Sequence, residues 1–224
     1  MVRNEANRQD ESGRGKTWQQ TKSEQTRSAI LTAAIACFYE LGYANTTTDN
    51  IAQKAGVSRG AMLHHFPTRF DLIKAALAHL SAGRLSRFAE EESRINQGAE
   101  HSRVEEGIDA FWNQLNSPEW VVIHELKVAA RTDRELEQAL GPALKEFQRA
   151  FYETTRQLFP DLALSEAFER GNLLTMYLLE GMAAAKLVEG ARVPEEKMLS
   201  WLKRELRRSF QDVLTTVKRP DASD

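Results

Sequence analysis

The spacing of apolar residues along this chain constrains its fold more than any other feature. From Ser23 to Pro194 these residues recur at intervals of three and four, and the alternating apolar and polar runs typical of strands are absent. Only 6 prolines occur in 224 residues, so few points force a helix to end. The sequence therefore predicts an all-α protein of about nine helices.

Composition narrows the class of protein further. Hydrophobic residues make up 42% and charged residues 28%, as in soluble globular proteins. No run approaches the roughly 20 apolar residues of a membrane-spanning helix, and the N-terminus lacks the apolar core of a secretory signal. The single cysteine, Cys37, falls on an apolar helical stripe, which favours a core position. We expect a cytoplasmic protein.

Three regions differ in character. Residues 1–22 are polar and rich in Gln, Arg, Gly and Ser, which predicts a flexible arm. Residues 23–68 are interpreted as a three-helix DNA-binding domain, with its first helix at about 24–42, and residues 69–224 as a larger helical domain for ligand binding and dimerisation. The arm's basic residues could enter a minor groove, or the arm could contact nothing.

Two short helices joined by a tight turn are predicted between residues 48 and 65. A hydroxyl in the run Thr46–Thr48 can cap the first helix, and Gly56 allows the backbone to turn with a positive φ. Ser58 can cap the second helix, which Pro67 ends. This second helix is short and free of acidic residues, as expected for a helix that enters a major groove between phosphates. The segment is a candidate helix-turn-helix.

The longer stretch around this motif reads AILTAAIACFYELGYANTTTDNIAQKAGVSRGAMLHHFPTRFDLI. Its Gly-Tyr step, threonine-rich cap, IA..AGVS.G core and following HF resemble the tetracycline-repressor (TetR) family of bacterial transcriptional regulators. The resemblance covers about residues 26–77. Beyond it, only the all-helical layout and the length are similar.

The resemblance implies which residues contact DNA. Thr47 and Thr48 would touch a phosphate, while Ser58, Arg59 and Gly60 would lead the second helix into the groove. Arg59 is the expected base reader, because an arginine fork can bond guanine at two points. The same comparison implies phosphate contacts from the side chains of His64 and Arg69.

Two positions depart from the family pattern. Leu63 stands where the family usually has a tyrosine that contacts DNA, so it can offer only an apolar contact, for example to a thymine methyl. Ala61 stands where threonine is common. An alternative for Arg59 is a solvated side chain. A metal site at His64 and His65 is disfavoured, because neighbours on a helix point about 100° apart.

The charge distribution agrees with an anionic partner at the N-terminal end. Residues 1–80 hold 10 Lys and Arg against 7 Asp and Glu, whereas residues 81–224 hold 20 against 25. Solvated helix faces are the alternative explanation for this modest asymmetry.

Large apolar side chains are concentrated in the predicted helices 5–8. Ligand pockets are mostly apolar with few polar groups, and the resemblance implies a ligand cavity in this region. Core packing is the alternative for each aromatic residue, and a structural role is the alternative for the histidine. The candidate ligand-binding residues are Trp112, Trp120, His124, Phe151 and Tyr177.

The last two helices are a candidate dimer interface. The first carries small residues that would let another helix approach closely, and the second has a long apolar side, so two copies could form a four-helix bundle. Burial within one chain is the alternative. The candidate interface residues are Gly181, Ala184, Trp201, Leu202, Leu206 and Phe210.

These observations predict a ligand-responsive transcriptional regulator. It would be a repressor that binds a palindromic operator as a homodimer and is released by a small apolar effector, with no membrane association, cofactor or metal. An all-helical small-molecule-binding protein or enzyme without a DNA role is the alternative. The enzyme interpretation is disfavoured, because the sequence has no phosphate-binding loop, C-x-x-C or H-E-x-x-H motif.

Overall fold

The computed structural model describes residues 17–95, 100–160, 162–188 and 193–217. Within these ranges the chain forms helices and no strands, which confirms the all-α prediction, and none of these helices is both long and apolar enough to cross a membrane. The helices are α1 Trp18–Leu41, α2 Thr48–Ala55, α3 Arg59–His65, α4 Arg69–Ile95, α5 Glu100–Leu115, α6 Pro118–Ala130, α7 Arg134–Leu158, α8 Glu166–Ala185 and α9 Glu195–Val217.

The first helix begins earlier than the sequence pattern predicts. Thr17 caps α1 through a reciprocal pair: its hydroxyl accepts from the Gln20 amide at 3.3 Å, and the Gln20 side chain accepts from the Thr17 amide at 2.8 Å. Residues 18–22, assigned to the flexible arm, are therefore helical. The rest of the predicted arm, residues 1–16, lies outside the described residues.

Helix α7 is continuous through Gly141-Pro142, although a Gly-Pro pair commonly marks a turn or the end of a helix. Pro142 lies inside the helix, and buried residues anchor the segments on both sides of it. Leu136 and Leu140 precede the proline in one part of the core, and Leu158 follows it in another. Tertiary packing of this strongly amphipathic helix outweighs the loss of one backbone hydrogen bond.

Two apolar clusters make up the core. The first contains the inner faces of α1, α2 and α3 and also residues of α4, α6 and α7, so no break between cores falls at the domain boundary predicted near residue 68. The second cluster is formed largely by α5, α8 and α9. Helix α4 runs from one cluster to the other, with Leu72 and Ile73 in the first and Ile95 in the second.

Candidate nucleic-acid interface and ligand cavity

The turn between α2 and α3 has the geometry that its sequence predicts. Gly56 adopts the left-handed conformation, with φ 67° and ψ 30°, which glycine reaches without steric cost. The Val57 amide donates to the Ala52 carbonyl at 3.0 Å and closes the end of α2. The Ser58 hydroxyl then accepts from the Ala61 amide at 3.1 Å and caps α3. The two helices are thus held in a helix-turn-helix.

Helix α3 presents one buried side and one exposed side. Met62 and Phe66, four residues apart, are buried against the first core cluster. Ser58, Arg59, Gly60, Leu63 and His64 are exposed. Leu63 is the most exposed large apolar residue of this helix, at 42%. These five exposed residues at α3 are all ones that the resemblance assigns to DNA contact.

The remaining candidate DNA contacts flank this helix. Thr47 caps α2 in a reciprocal pair with Asn50 and is exposed, and Thr48 beside it is half-buried. Arg69, also exposed, begins α4 and lies over the ring of Tyr43 at 5.1 Å. It also donates to the Thr46 carbonyl at 3.4 Å. Arg69 therefore links the start of α4 to the turn before α2, a structural role that the sequence does not reveal.

An acidic neighbour of Arg59 was also missed by sequence reasoning. One guanidinium nitrogen of Arg59 lies 3.4 Å from the carboxylate of Asp49 on α2, and both side chains are about two-thirds exposed. Such exposed pairs contribute little stability, roughly 0–1 kcal/mol, so Arg59 can exchange Asp49 for another partner at low cost. The pair holds the guanidinium beside the exposed side of the helix-turn-helix.

The two histidines of α3 have different surroundings. His64 is exposed, whereas His65 is half-buried next to Phe66, with ring centroids 6.4 Å apart. Burial lowers the pKa of His65, and the neighbouring His64 and Arg27 lower it further. His65 is therefore favoured as a neutral packing residue, while His64 faces outward.

Polar contacts of Tyr43 tie the helix-turn-helix to the rest of the chain. The Tyr43 amide donates to a carboxylate oxygen of Glu125 on α6 at 2.6 Å. Its hydroxyl donates to Asp133, the cap of α7, at 2.8 Å. The Leu136 amide and Tyr43 hydroxyl both lower the pKa of Asp133 by bonding its charged form. We refer to Tyr43, Glu125 and Asp133 as the interdomain latch.

A cavity of about 240 Å³ lies among α4, α5, α6, α7 and α8. Three of the candidate ligand residues line it, namely Trp120, Phe151 and Tyr177. The other two do not. Trp112 is buried in the core beneath Lys186, and His124 stacks on Trp120 at 4.9 Å without lining the cavity. The sequence places these residues on the correct helices but does not resolve which side chains face the same space.

A smaller apolar cavity of about 60 Å³ adjoins the first at Phe111 and Phe151, which line both. It lies within the second core cluster, and its walls include Thr155, Asn172 and Phe210. Sequence periodicity gave no sign of it, because a void depends on how side chains of different helices meet.

The predicted dimer interface needs correction on α9. Leu202, Leu206 and Phe210 are buried within the chain and belong to the second core cluster. Leu206 and Phe210 pack so closely on α8 that a Cβ added at Gly171 would lie 3.0 and 2.8 Å from them. Their spacing of four places them on one inward side. These three side chains therefore lie inside the chain and not on its surface.

The other three candidates remain available on the surface. Gly181 is exposed on α8, Ala184 is half-buried, and Trp201 is 41% exposed on α9. Among the described side chains, most of the apolar side of α9 is buried within the chain. This is the alternative to an interface that the sequence left open.

The capped α2 and α3, the glycine turn between them and the outward basic side chains define a helix-turn-helix DNA-binding protein. Residues 30–76 match the family described as "Bacterial regulatory proteins, tetR family". Residues 30–76 therefore carry the DNA-binding domain of TetR-type regulators, as the sequence motif predicts. The relatives of this chain are transcriptional regulators, which agrees with the expectation that it is not an enzyme.

Individual relatives extend the similarity beyond the motif. An uncharacterised HTH-type transcriptional regulator of Mycobacterium tuberculosis is 29% identical over 140 residues, which are 62% of this chain and 71% of the relative. The crystal structure of a TetR-family regulator from Rhodococcus sp. superposes with a TM-score of 0.63 at 17% identity, covering 85% of this chain and 98% of that one. The multidrug binding protein EbrR, solved with imidazole, gives a TM-score of 0.55 at 23% identity, covering 82% and 93%. At these identities the two solved structures establish the shared fold.

Proposed function

We propose that this chain is a ligand-responsive repressor of the TetR type that binds a palindromic operator as a homodimer. The observation that carries the proposal is the division of α3 into two sides. Met62 and Phe66 fix the helix to the core, which leaves Arg59, Leu63 and His64 facing outward. A helix held in this way can enter a major groove with its N-terminal residues on base edges.

The individual contacts of the proposal are those that the family resemblance implies. Arg59 leaves Asp49 and bonds a guanine, while Leu63 packs on a thymine methyl. Ser58 and Gly60 approach the DNA with little side-chain bulk. Phosphate contacts come from exposed side chains around the helix, namely Thr47, Thr48, His64 and Arg69. The proposal implies that the protein acts in the cytoplasm, where a bacterial operator is found.

The cavity supports the ligand-responsive part of the proposal. A dry cavity of about 150 Å³ can accept benzene, so about 240 Å³ suits a molecule of one or two rings or a short acyl chain. EbrR, which shares the fold, is described as a multidrug binding protein. Filling the cavity moves α4, which borders it and also begins beside α3, and the effector thereby releases the operator.

Dimerisation uses the sides of α8 and α9 that remain exposed. Tyr177 is 67% exposed and Trp201 is 41% exposed, and Gly181 offers a low surface between larger residues. Aromatic residues such as Tyr and Trp are enriched in protein interfaces. To bind successive half-sites, the twofold axis of the proposed dimer must set two α3 helices about 34–36 Å apart.

The second candidate function is a small-molecule-binding protein without a DNA role. The cavity fits that function equally well. It leaves the exposed Leu63 and Arg59 on α3 without a purpose, so the repressor is favoured.

The proposal is tested by selecting DNA from a randomised duplex library with the wild-type chain and with Arg59→Ala, followed by sequencing. We expect an enriched palindrome whose half-site centres are about one helical turn apart, with weaker enrichment by the variant. Binding to the enriched duplex should weaken steeply with salt. Enrichment of no sequence by the wild-type chain would refute a specific DNA-binding function and favour the second candidate.

A further inference from the structure

One basic side chain that lines the larger cavity is largely buried and has no counter-ion among the described residues. Arg84 on α4 is 7% exposed and lines the cavity of about 240 Å³. Its guanidinium carbon lies 3.8 Å from the ring centroid of Phe147 on α7. Among the described residues it makes no ion pair or hydrogen bond.

The other charges near Arg84 are already paired with one another. Lys127 lies 3.5 Å from Glu180, and both line the cavity. Arg87, one turn along α4, bonds Glu119 at 2.8 Å. These two pairs balance, so the cavity and its surroundings carry the positive charge of Arg84 in excess.

The charge on Arg84 persists at neutral pH. Burial lowers the pKa of Arg84 to about 10, and repulsion by Arg87 adds to the effect, while Glu180 and Glu119 oppose it. At pH 7 the side chain is still a guanidinium cation. A buried cation without a counter-charge is unfavourable, and a partner that brings an opposite charge recovers much of that free energy.

The contact with Phe147 leaves the hydrogen-bonding capacity of Arg84 unused. A cation over an aromatic face gains electrostatic stabilisation but no hydrogen bond. The guanidinium has five N–H donors in a planar fork, whose geometry matches a two-oxygen anion. Apolar walls of Phe111, Trp120 and Met176 line the same cavity. A molecule that complements both features has an apolar body and an anionic end.

We propose that the effector is an apolar monocarboxylate whose carboxylate binds Arg84 and whose hydrocarbon body packs against Trp120 and Met176. The inference rests on the proposed ligand-responsive function and names the chemical class of its ligand. One negative charge balances the excess charge of the cavity. A phosphate dianion would instead bring a second negative charge close to Glu180.

The test compares acids with their uncharged amides. The probes are naphthoate, phenylpropionate and decanoate, each with its primary amide, titrated by calorimetry into the wild-type chain and three variants. Arg84→Met keeps the bulk of the side chain without its charge, and Arg84→Lys keeps a charge without the fork. Arg87→Met is the matched control, because it removes a charge from the same helix outside the cavity lining.

At least one acid should bind the wild-type chain more tightly than its amide. Arg84→Met should weaken that acid by about ten- to a hundred-fold, as expected for charge-assisted hydrogen bonds, and leave the amide within about threefold. Arg84→Lys should restore part of the loss. Arg87→Met should change both probes by less than about threefold, because its charge is paired and partly solvated.

Two results would overturn the inference. The first is equal binding of acids and amides, or an Arg84→Met variant that weakens both alike. The second is an absence of acid binding to the wild-type chain. Each preparation is also tested for binding to the selected operator, so that failure of this inference can be distinguished from failure of the proposed function. If operator binding is retained and an uncharged ligand releases it, the repressor proposal stands and the carboxylate inference is refuted.

Discussion

At the scale of single residues, the two candidate DNA-contacting arginines differ in the contacts that they make in the protein without DNA. Arg59 is held loosely by Asp49 at 3.4 Å, with both groups well exposed. Arg69 is engaged by the Tyr43 ring and the Thr46 carbonyl. Under the proposed function, Arg59 can reorient towards a base at little cost, whereas Arg69 is held at the position proposed for a phosphate contact. Their substitutions should therefore have different effects.

Arg59→Ala should cost about 1–3 kcal/mol on the selected operator and relax base preference at one position in each half-site. Arg69→Ala should weaken binding to all sequences alike and lower the slope of log affinity against log salt by about one charge. Fluorescence anisotropy on operator and scrambled duplexes at several salt concentrations measures both effects.

Thermal unfolding is the control for this comparison, because Arg69 also contacts Tyr43. If Arg69→Ala lowers the midpoint temperature of unfolding, its DNA binding must be measured at a temperature where the variant is still folded. Sequence-blind losses of the same size from both variants would refute the assignment of Arg59 as the base reader.

At the scale of helices, the interdomain latch connects the turn before α2 with α6 and α7. The backbone at Gly42 has a positive φ of 79°, a conformation that favours glycine, and a Cβ there would lie 3.0 Å from a carboxylate oxygen of Glu125. Helix α6 also carries Trp120, which lines the cavity. The helix-turn-helix therefore contacts two helices that line the cavity, α4 and α6, and movement of either helix would displace it.

Tyr43→Phe should lower the free energy of unfolding by about 1 kcal/mol at pH 7, because it removes the hydrogen bond to Asp133. The difference from wild type should shrink as the solution is acidified. The folded-state pKa of Asp133 lies below its ordinary value of 3.8, so its contribution is present above that pH and is lost as the pH falls through the folded-state pKa.

Urea unfolding at several pH values between about 7 and 2 measures this difference. Tyr39→Phe is the matched control, since Tyr39 is 49% exposed on α1 and should change stability little. A destabilisation of Tyr43→Phe that stays constant down to the lowest pH would show that the Asp133 carboxylate is not the group it loses.

How much the sequence reveals varies from helix to helix. Local chemistry specifies α2 and α3, because their ends are set by residues whose preferences act within a few positions. As expected, Thr47 caps α2, Gly56 forms the turn and Ser58 caps α3. The apolar side of α9 also follows from spacing. Spacing does not reveal what this apolar side packs against, because the same side could pack on another chain or on α5 and α8.

Features that depend on several distant segments escaped prediction. Arg84 reads as one more charge on a long helix, and its isolation appears only when Phe147 and the cavity are placed around it. Tyr43 meets Asp133 across 90 positions of sequence. A single sequence carries no signal for such pairs, because neither partner constrains its own neighbours.

At the scale of the whole molecule, α9 faces two ways. Its inner side, with Leu206 and Phe210, packs on α5 and α8, while Trp201 remains partly exposed on the outside. Folding of the chain and assembly of the proposed dimer therefore depend on different residues of the same helix. This separation allows the two processes to be tested independently.

Trp201→Glu should convert the dimer to a monomer with an unchanged circular dichroism spectrum, and operator affinity should fall because one half-site is lost. Leu206→Ala should instead lower the free energy of unfolding by about 2–5 kcal/mol, as for other buried leucines. Sedimentation velocity and urea unfolding distinguish the two. Trp18→Glu is the matched control, because Trp18 is exposed on α1, far along the chain from α9.

A Trp201→Glu variant that sediments as the wild-type dimer would place the interface elsewhere. A wild-type chain that is monomeric at micromolar concentration, and also when bound to the selected operator, would contradict the dimer itself.

The central claim is that one chain couples a ligand in the cavity to an operator at α3, and coupling between two sites must be reciprocal. The most direct measurement is calorimetric titration of the tightest-binding acid or amide into the protein, with and without saturating operator. Our account predicts that operator weakens the ligand by the same factor by which ligand weakens the operator, about 5- to 150-fold. A ligand affinity that is identical with and without operator would contradict the account.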